Sequence, residues 1–547
     1  MDPSSGSGSR WLWAGFGLLA SLAGIAAAHL VAAATTPAAS PVLAVGSAVI
    51  DRTPTPVKTW AIREFGNADK PILIGSVFAG VLLLAAVAGL LARRRVELGV
   101  ALVLVLAAVA GYAALARPVA TTVDLLPALT AALVGAGVLT YLARLARTGE
   151  PRPEAEEVQP GAQEAQAAAE KPSAATSPGD PGDPGGPGPD QEPTAGVRRR
   201  SVLGAAAVIG AASALTAAGG EWLARVRTRI TDIALPKPAS AAPPLPADLA
   251  NLNPEISALQ TPRGEFYRVD INLSLPIVPA DDWDLRIDGD VDKPYRLTFD
   301  ELLAMPLIER DITLTCVSNE VGGRYVGGAR WLGVRLGDLL ERAGVREGND
   351  QLLSTAEDGF TISTPLEIAL KNPDAMVAVG MNGKSLPGEH GFPARLVVPG
   401  LYGYVGATKW LRRLTVTTYD SEEAYWTQRG WSIDGPIKAS ARIDTPRPFA
   451  DLDAGTVVIG GVAWAQGHGV AQVEVQIDDG PWQRAILGGD VGLDYWRQWY
   501  LPWEATSGSH SLSVRTTTQD GEVQTAARAT PYPDGSTGIQ QIQVKVG

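Results

Sequence analysis

The sequence has few of the residues that bind metals or cross-link chains. It contains one cysteine, Cys316, and four histidines in 547 residues. A single cysteine excludes an internal disulfide, a cysteine-held iron–sulfur cluster, a cysteine-rich zinc site and haem attached through a CxxCH motif. The net charge of −12 argues against a nucleic-acid partner, which needs a basic face to neutralise phosphates. We therefore expect no iron–sulfur cluster, no haem and no nucleic acid.

Charged residues are also scarce, at 19%, and the apolar ones gather in five long runs of the N-terminal half. These runs are residues 11–34, 71–92, 96–116, 119–143 and 202–220. Each approaches or exceeds the length needed to cross a hydrocarbon core of about 30 Å. Arginines at 10, 93–95, 144, 147 and 198–200 all fall on one side if every run crosses, and that side is the cytoplasm by the positive-inside rule. The sequence predicts a multi-pass protein of the cytoplasmic membrane, with the C-terminal half outside the cytoplasm.

The role predicted for the five runs is anchoring in the lipid bilayer. An electron conduit or a transporter is the alternative. His29 is the one histidine inside a run, so a haem held by two histidines lacks its second ligand there. Glu97 and Asp124 lie close to the ends of runs, where their side chains reach the interface. The sequence therefore offers no buried charge network for transport.

Residues 149–200 are rich in proline, glycine and acidic side chains, which predicts a disordered cytoplasmic linker. The linker ends in the arginines at 198–200, directly before the small-residue apolar run. This pattern resembles a twin-arginine export signal, and it is equally compatible with a simple positive-inside flank. A twin-arginine signal would have a chemical consequence, because this export route carries proteins already folded around a cofactor.

The predicted fold is multi-domain. A four-span transmembrane region (1–148) is followed by the linker, a fifth transmembrane helix (201–220) and a Pro/Ala-rich stalk (221–260). Strand-like and helical patterns then alternate over 261–440, which predicts a mixed α+β domain. Short alternating runs over 441–547 predict an Ig-like β-sandwich without a disulfide.

Three segments carry a family resemblance: ITLTCVSNEVGG, ARWLGVRLGDLL, and a longer stretch that joins EHGFPARLVVPG to TKWL. From about Glu265 to the C-terminus the chain resembles the sulfite oxidase family of molybdopterin enzymes. The resemblance implies a sulfite-oxidase-like molybdopterin domain with a molybdenum–molybdopterin cofactor. It also implies oxygen-atom transfer on a small molecule and a separate electron carrier, either a cytochrome or a quinone-linked protein. The C-terminal sandwich resembles the family's dimerisation domain, which makes a homodimer a candidate assembly.

The resemblance assigns site residues. A lone cysteine is usually a small buried hydrophobe, yet a thiolate is also a soft ligand for a transition metal. By resemblance Cys316 is the protein ligand to molybdenum. The cofactor contacts implied in the same way are Arg395, Lys409, His390, Ala407 and Thr408, with Tyr267, Arg268 and Asp270 as looser matches.

Two positions depart from sulfite oxidases proper. Glu320 stands where they carry an arginine, and Phe360 stands where they carry a tyrosine. A carboxylate facing the metal would repel a dianion. We therefore predict poor sulfite oxidation and leave sulfoxides and N-oxides as candidate substrates, although Arg324, Arg330 and Arg497 remain other sources of positive charge. The alternative function is that of a catalytically silent, membrane-tethered binding or scaffold protein that retains the fold. The presence of Cys316 and of the Arg395/Lys409 pair argues against it.

Overall fold

The computed structural model describes residues 5–54, 57, 60, 64–65, 69–147, 195–228 and 233–547. The predicted linker lies outside the described residues as far as residue 194. We call the described residues from 5 to 228 the helical bundle, and its α-helices include the following six. They are α1 (Ser5–Ala34), α2 (Pro41–Arg52), α3 (Asp69–Arg94), α4 (Val96–Leu115), α5 (Leu126–Arg147) and α6 (Ala195–Thr228).

In this part of the chain, five helices are long and apolar enough to cross a membrane. The candidate spans are Arg10–Ala34, Lys70–Arg94, Val96–Leu115, Thr122–Arg147 and Val202–Leu223, and they coincide with the five apolar runs of the sequence. Helix α1 packs against α3, α5 and α6. A Cβ on Gly17 of α1 would lie 2.6 Å from the backbone nitrogen of Gly89 in α3, so the two backbones touch. Such close approach at small residues is typical of helices that associate in lipid.

The two ends of the bundle differ. At one end, Arg147 donates to the carbonyl of Ala92 at 2.8 Å, and its guanidinium lies over the ring of Trp13. The opposite end faces the globular part of the protein. There Pro118, in the turn after α4, lies so close to Gly359 that a Cβ on that glycine would be 2.6 Å from the Pro118 Cβ. The arginine-rich helix ends are thus on the side away from the globular domains.

The α+β domain contains two sheets. Its strands are β1 (Asp284–Gly289), β2 (Tyr295–Thr298), β3 (Leu307–Thr315), β4 (Val326–Arg335), β5 (Gln351–Ala356), β6 (Thr361–Pro365), β7 (Met376–Met381), β8 (Lys384–Ser385), β9 (Arg395–Val397) and β10 (Leu411–Thr417). Its helices are α7 (Phe299–Leu303), α8 (Leu336–Ala343), α9 (Leu366–Lys371) and α10 (Gly403–Gly406). One sheet has the order β2-β1-β10-β5-β6, with β1 and β10 parallel, and the other has the order β3-β4-β7-β8, with β9 on β7.

Helix α8 illustrates why these residues form these elements. Leu336, Leu339, Leu340 and Ala343 recur at helical spacing and are fully buried. The helix ends at Ala343, and Gly344 is its C-cap. The left-handed φ of +71° at Gly344 is a conformation that residues with a side chain rarely adopt. The buried face of α8 joins the large core that includes Trp283 and Leu414. This core fixes the two sheets relative to each other and therefore the loops between them.

The C-terminal part is a pair of sheets around one core. Its strands are β11 (Ser440–Thr445), β12 (Asp451–Leu452), β13 (Gly455–Trp464), β14 (Val470–Ile477), β15 (Gln483–Arg484), β16 (Ile486–Leu487), β17 (Arg497–Ala505), β18 (Gly508–Thr518) and β19 (Gln540–Val546). The sheets have the orders β11-β13-β17-β16 and β12-β19-β18-β14-β15. Trp499 of the first sheet and Val475 of the second lie in the same buried cluster. The strict alternation of buried and exposed residues along β19 matches the predicted pattern.

Residues 233–260 differ from the free stalk expected for 221–260. Ala239 donates its backbone N–H to the carbonyl of Leu307, and Ser240 accepts from the N–H of Glu309. Further along, the Leu249 N–H donates to the Gln498 side chain of the C-terminal domain. This Pro/Ala-rich segment therefore lies along both globular domains, because its free backbone groups find partners at their edges.

Candidate active site

A cavity of about 440 Å³ lies in the α+β domain on the side that faces the helical bundle. Most of the site residues expected from the sequence line it: Tyr267, Asp270, Cys316, Phe360, His390, Arg395, Ala407 and Lys409. Five residues of the helical bundle also line it, which no pattern in the sequence indicated: Ile50, Thr53, Val57, Lys70 and Leu73.

Cys316 is the first residue after β3 and is buried at the cavity wall. Its backbone N–H donates to the carbonyl of Tyr325 at 2.9 Å, which closes the loop between β3 and β4. Burial raises the pKa of the Cys316 thiol, and hydrogen bonds from Ser318 partly oppose this effect. A bound transition metal would overcome the raised pKa, because coordination removes the thiol proton.

Arg395 begins β9 and is 5% exposed. Among the described residues, its guanidinium donates to the backbone carbonyls of His390, Leu396 and Ala407, and no carboxylate pairs with it. Burial lowers its pKa to about 10. The guanidinium also lies 5.1 Å from the centre of the Trp331 ring. A buried cation without a counter-ion is costly, so this site is built for a bound anion.

His390 is buried beside Arg395. Its Nε2 is 3.1 Å from the carbonyl of Arg263, so that nitrogen carries the proton and Nδ1 is left as an acceptor. Burial, together with the nearby Arg395 charge, lowers the pKa of His390 to about 4. The imidazole is therefore neutral at physiological pH.

Lys409 and Asp270 form a buried ion pair, with 2.9 Å between Lys409 Nζ and Asp270 Oδ2. Burial lowers the pKa of Lys409 to about 8. Burial alone would raise the pKa of Asp270, but Lys409, Arg268 and Lys70 outweigh it and hold this pKa well below the usual range. Asp270 thus acts as the common partner of three cations.

Lys70 reaches this cluster from the first turn of α3. Its Nζ is 3.2 Å from Asp270 Oδ1, and it donates to the carbonyls of Asp270 at 2.7 Å and Asn272 at 2.9 Å. The Asn272 side chain in turn donates to Asp358, a half-buried carboxyl whose pKa is raised by desolvation. Lys70, Asn272 and Asp358 all line the cavity, and no motif in the sequence indicates any of them.

Aromatic rings form the floor beside the metal-binding cysteine candidate. The half-buried Tyr267 stacks on Phe266 with 5.2 Å between ring centres, and Phe266 meets Trp331 and His390 edge to face. Burial raises the pKa of the Tyr267 phenol, so this hydroxyl keeps its proton. On the opposite wall, the Phe360 ring lies 5.2 Å from that of Tyr425.

Glu320 is not brought to the cavity. It is exposed and does not line the space that contains Cys316. The loop that carries it turns toward the C-terminal domain, where Ser536 Oγ donates to the carbonyl of Asn319 and Arg442 donates to the carbonyl of Gly323 at 2.9 Å. The expectation that Glu320 faces the metal is therefore corrected, because these contacts direct the residue outward.

Other expected residues also lie outside the lining. Arg268 is exposed and reaches the site only through its ion pair with Asp270. Thr408 is fully buried, and its hydroxyl bonds the Ser354 hydroxyl at 2.6 Å. Arg330 pairs with Asp311, and Arg497 pairs with Asp490. Neither these two nor the exposed Arg324 lines the cavity, so its positive charge comes from Arg395, Lys409 and Lys70.

Comparisons with known proteins relate the chain to one family model and to several proteins. Residues 272–426 match the family model described as an oxidoreductase molybdopterin binding domain. The mitochondrial sulfite oxidase of Mus musculus is 32% identical over 269 residues, which cover 40% of this chain and 48% of that protein. An uncharacterised oxidoreductase of Bacillus subtilis, YuiH, is 35% identical over 153 residues, covering 28% of this chain and 74% of the relative. The structure of the sulfane dehydrogenase SoxCD from Paracoccus pantotrophus aligns at 26% identity with a TM-score of 0.47, over 52% of this chain and 81% of that one.

Fold, cavity and comparisons define the class as molybdopterin-binding oxidoreductases. Within that class, the chain belongs to the sulfite oxidase family of molybdopterin-dependent oxidoreductases. It spans about half the length of the mammalian sulfite oxidases that it matches.

The residues present fit the cofactor of this family. The buried Arg395 has no acidic partner among the described residues, and Lys409 lies beside it in the same cavity. A phosphate-bearing pterin would supply the anion that such a pair of cations lacks. Cys316 would provide the soft donor for the metal.

Proposed function

We propose that this protein is a membrane-anchored oxidoreductase whose catalytic domain lies outside the cytoplasm. It uses a molybdenum–molybdopterin cofactor for oxygen-atom transfer on a small substrate and exchanges electrons with a separate carrier. The proposal rests on one observation above all: Cys316, His390, Arg395 and Lys409 line a single buried cavity. When bound, the cofactor supplies the change in metal oxidation state that accompanies the transfer of the oxygen atom.

The chain's own residues would have distinct roles. Cys316 would hold the metal, while Arg395 and Lys409 would bind the anionic part of the pterin. Neutral His390, with its Nε2 proton engaged by Arg263, offers Nδ1 as an acceptor for a pterin donor. Ala407 bonds Arg395 through its carbonyl and thereby orients the guanidinium. Asp270 would act indirectly, by holding the Lys409 ammonium in place.

The arrangement of the helical bundle supports the proposed topology. The ends that carry Arg93 and Arg147 meet at one side, and Lys70 and Pro118 contact the α+β domain at the other. With the arginines in the cytoplasm, the catalytic domain lies outside. We further propose that residues 441–547 form an Ig-like sandwich of the dimerisation type, and that 261–440 is the catalytic domain.

The test is turnover by the purified full-length chain. Sulfite oxidation is followed with an artificial electron acceptor, and the reduction of sulfoxides and N-oxides is followed with a reduced viologen. The proposal expects turnover of at least one of these substrates by the wild type and none by Cys316→Ser. Equal turnover by both proteins would overturn it.

A further inference from the structure

The catalytic cavity has two kinds of wall. Around Arg395, Lys409 and Asp270 it carries charged side chains, as a cofactor site requires. Away from them the wall is apolar and has two sources. The catalytic domain contributes Phe360, Trp426 and Trp431, and the helical bundle contributes Ile50, Val57 and Leu73.

The apolar wall includes the first turn of a candidate membrane span. The second candidate span begins at Lys70, so Leu73 lies about 4.5 Å along the helix axis from its start. Tryptophan and tyrosine are enriched at the membrane–water interface of membrane proteins, and Trp426, Trp431 and Tyr425 line the same cavity as the bundle residues. Val57, which is 49% exposed, lies at the rim. With the bundle in the bilayer as proposed above, the cavity extends from Cys316 to the outer interface.

We infer that the substrate is a lipophilic molecule that enters from the outer leaflet, with its polar reacting group directed toward Cys316 and its apolar body against this wall. A water-soluble anion would gain nothing from these side chains. An apolar chain would gain about fourfold in affinity for each methylene that it buries. The identity of the reacting group rests on the proposed chemistry, whereas the route from the leaflet rests on the cavity wall and on the proposed membrane topology.

The route can be tested without turnover, because Cys316 is the only thiol in the chain. The cofactor-free full-length protein is placed in phospholipid nanodiscs and labelled with N-octylmaleimide or with a sulfonated maleimide. The two reagents share one reacting group, so the reactivity of the thiol cancels in the ratio of their rates. We expect this ratio to exceed the ratio for free cysteine in the same nanodiscs by about tenfold or more.

Two neighbouring positions on α2 provide matched variants. Ile50 lines the cavity, whereas Val49 is 41% exposed and does not. Ile50→Asn should lower the octyl-to-sulfonate ratio several-fold, and Val49→Asn should leave it unchanged. Val57→Asn, at the rim, is a second cavity variant in case Ile50→Asn fails to fold.

A ratio equal to that of free cysteine would overturn the inference, and so would equal effects of Ile50→Asn and Val49→Asn. The failure of the proposed function is a separate result. It would appear as an absence of turnover by the cofactor-loaded enzyme, which the labelling ratio does not measure.

Discussion

Lys70, the first residue of the second candidate span, forms an ion pair with Asp270 of the catalytic domain, with 3.2 Å between Nζ and Oδ1. Asp270 also holds Lys409, the proposed ligand of the pterin phosphate, at 2.9 Å. The Asp270 side chain is 4% exposed, so solvent does little to screen this charge. Lys70 of the helical bundle and Lys409 of the catalytic cavity therefore share one partner, Asp270.

Removing the Lys70 ammonium should loosen the segment around Asp270. In Lys70→Ala the carbonyls of Asp270 and Asn272 lose their donor, and hydrogen bonds to charged groups contribute roughly 1.5–3 kcal/mol. We expect amide hydrogen exchange over residues 268–273 to accelerate by about tenfold to a hundredfold. Lys70→Arg should retain most of the protection, and Lys371→Ala, which removes an exposed lysine of another helix, is the control. Unchanged exchange in Lys70→Ala would show that the contact does not hold the segment.

Cofactor retention should depend on pH through Lys409. Burial lowers the pKa of this lysine to about 8. An anionic phosphate binds the protonated form, so retention should be level below about pH 8 and fall by up to about tenfold per pH unit above it. Lys409→Arg keeps its charge to higher pH and should flatten the profile. The measurement is bound pterin after gel filtration from neutral to alkaline pH, and identical profiles would contradict this role.

Sulfite turnover should respond to Phe360 and not to Glu320. Phe360→Tyr places a phenol hydroxyl on the cavity wall, where the family carries one, and should raise sulfite oxidation. Glu320→Arg changes an exposed side chain outside the cavity and should leave kcat and KM for sulfite unchanged. Steady-state kinetics of both variants against the wild type provide the measurement. A large effect of Glu320→Arg would show that its loop turns inward in the working enzyme.

Phe360 lines the cavity and Glu320 does not, and this difference shows which placements of site residues cannot be predicted from the sequence. The resemblance assigns Cys316, Arg395 and Lys409 from short motifs, and all three line one cavity because local strands fix their positions. The direction of Glu320 depends on Arg442 and Ser536, which belong to another domain. Lys70 meets Asp270 across 200 residues of sequence and a domain boundary, and no local pattern encodes such a contact.

The fold, too, has parts that the sequence predicts and parts that it does not. Long apolar runs predict the five apolar helices, and strict alternation of apolar and polar residues predicts strand β19. For residues 233–260 the sequence predicts only a proline-rich coil. Their contacts with Leu307 and Gln498 arise from tertiary structure, so the sequence alone could not predict them.

The topology predicts opposite results for two reporter fusions. A reporter joined after residue 230 should be active only outside the cytoplasm, and one joined near residue 170 should be active only inside. The clusters at Arg93 and Arg147 direct this orientation through the positive-inside rule. The reverse pattern of activity would contradict the five-span arrangement.

We propose that Cys316 binds molybdenum within a pterin cofactor, and metal analysis with X-ray absorption spectroscopy of the purified full-length protein tests this claim. We expect molybdenum in the wild type, with one more sulfur ligand than the pterin dithiolene supplies. In Cys316→Ser the metal should be lost or lack that sulfur, because a hydroxyl is a hard and mostly protonated donor. The C-terminal domain should still fold in this variant, since Cys316 is not part of its core. Molybdenum with the same sulfur ligands in both proteins, or a wild type without molybdenum, would contradict the claim.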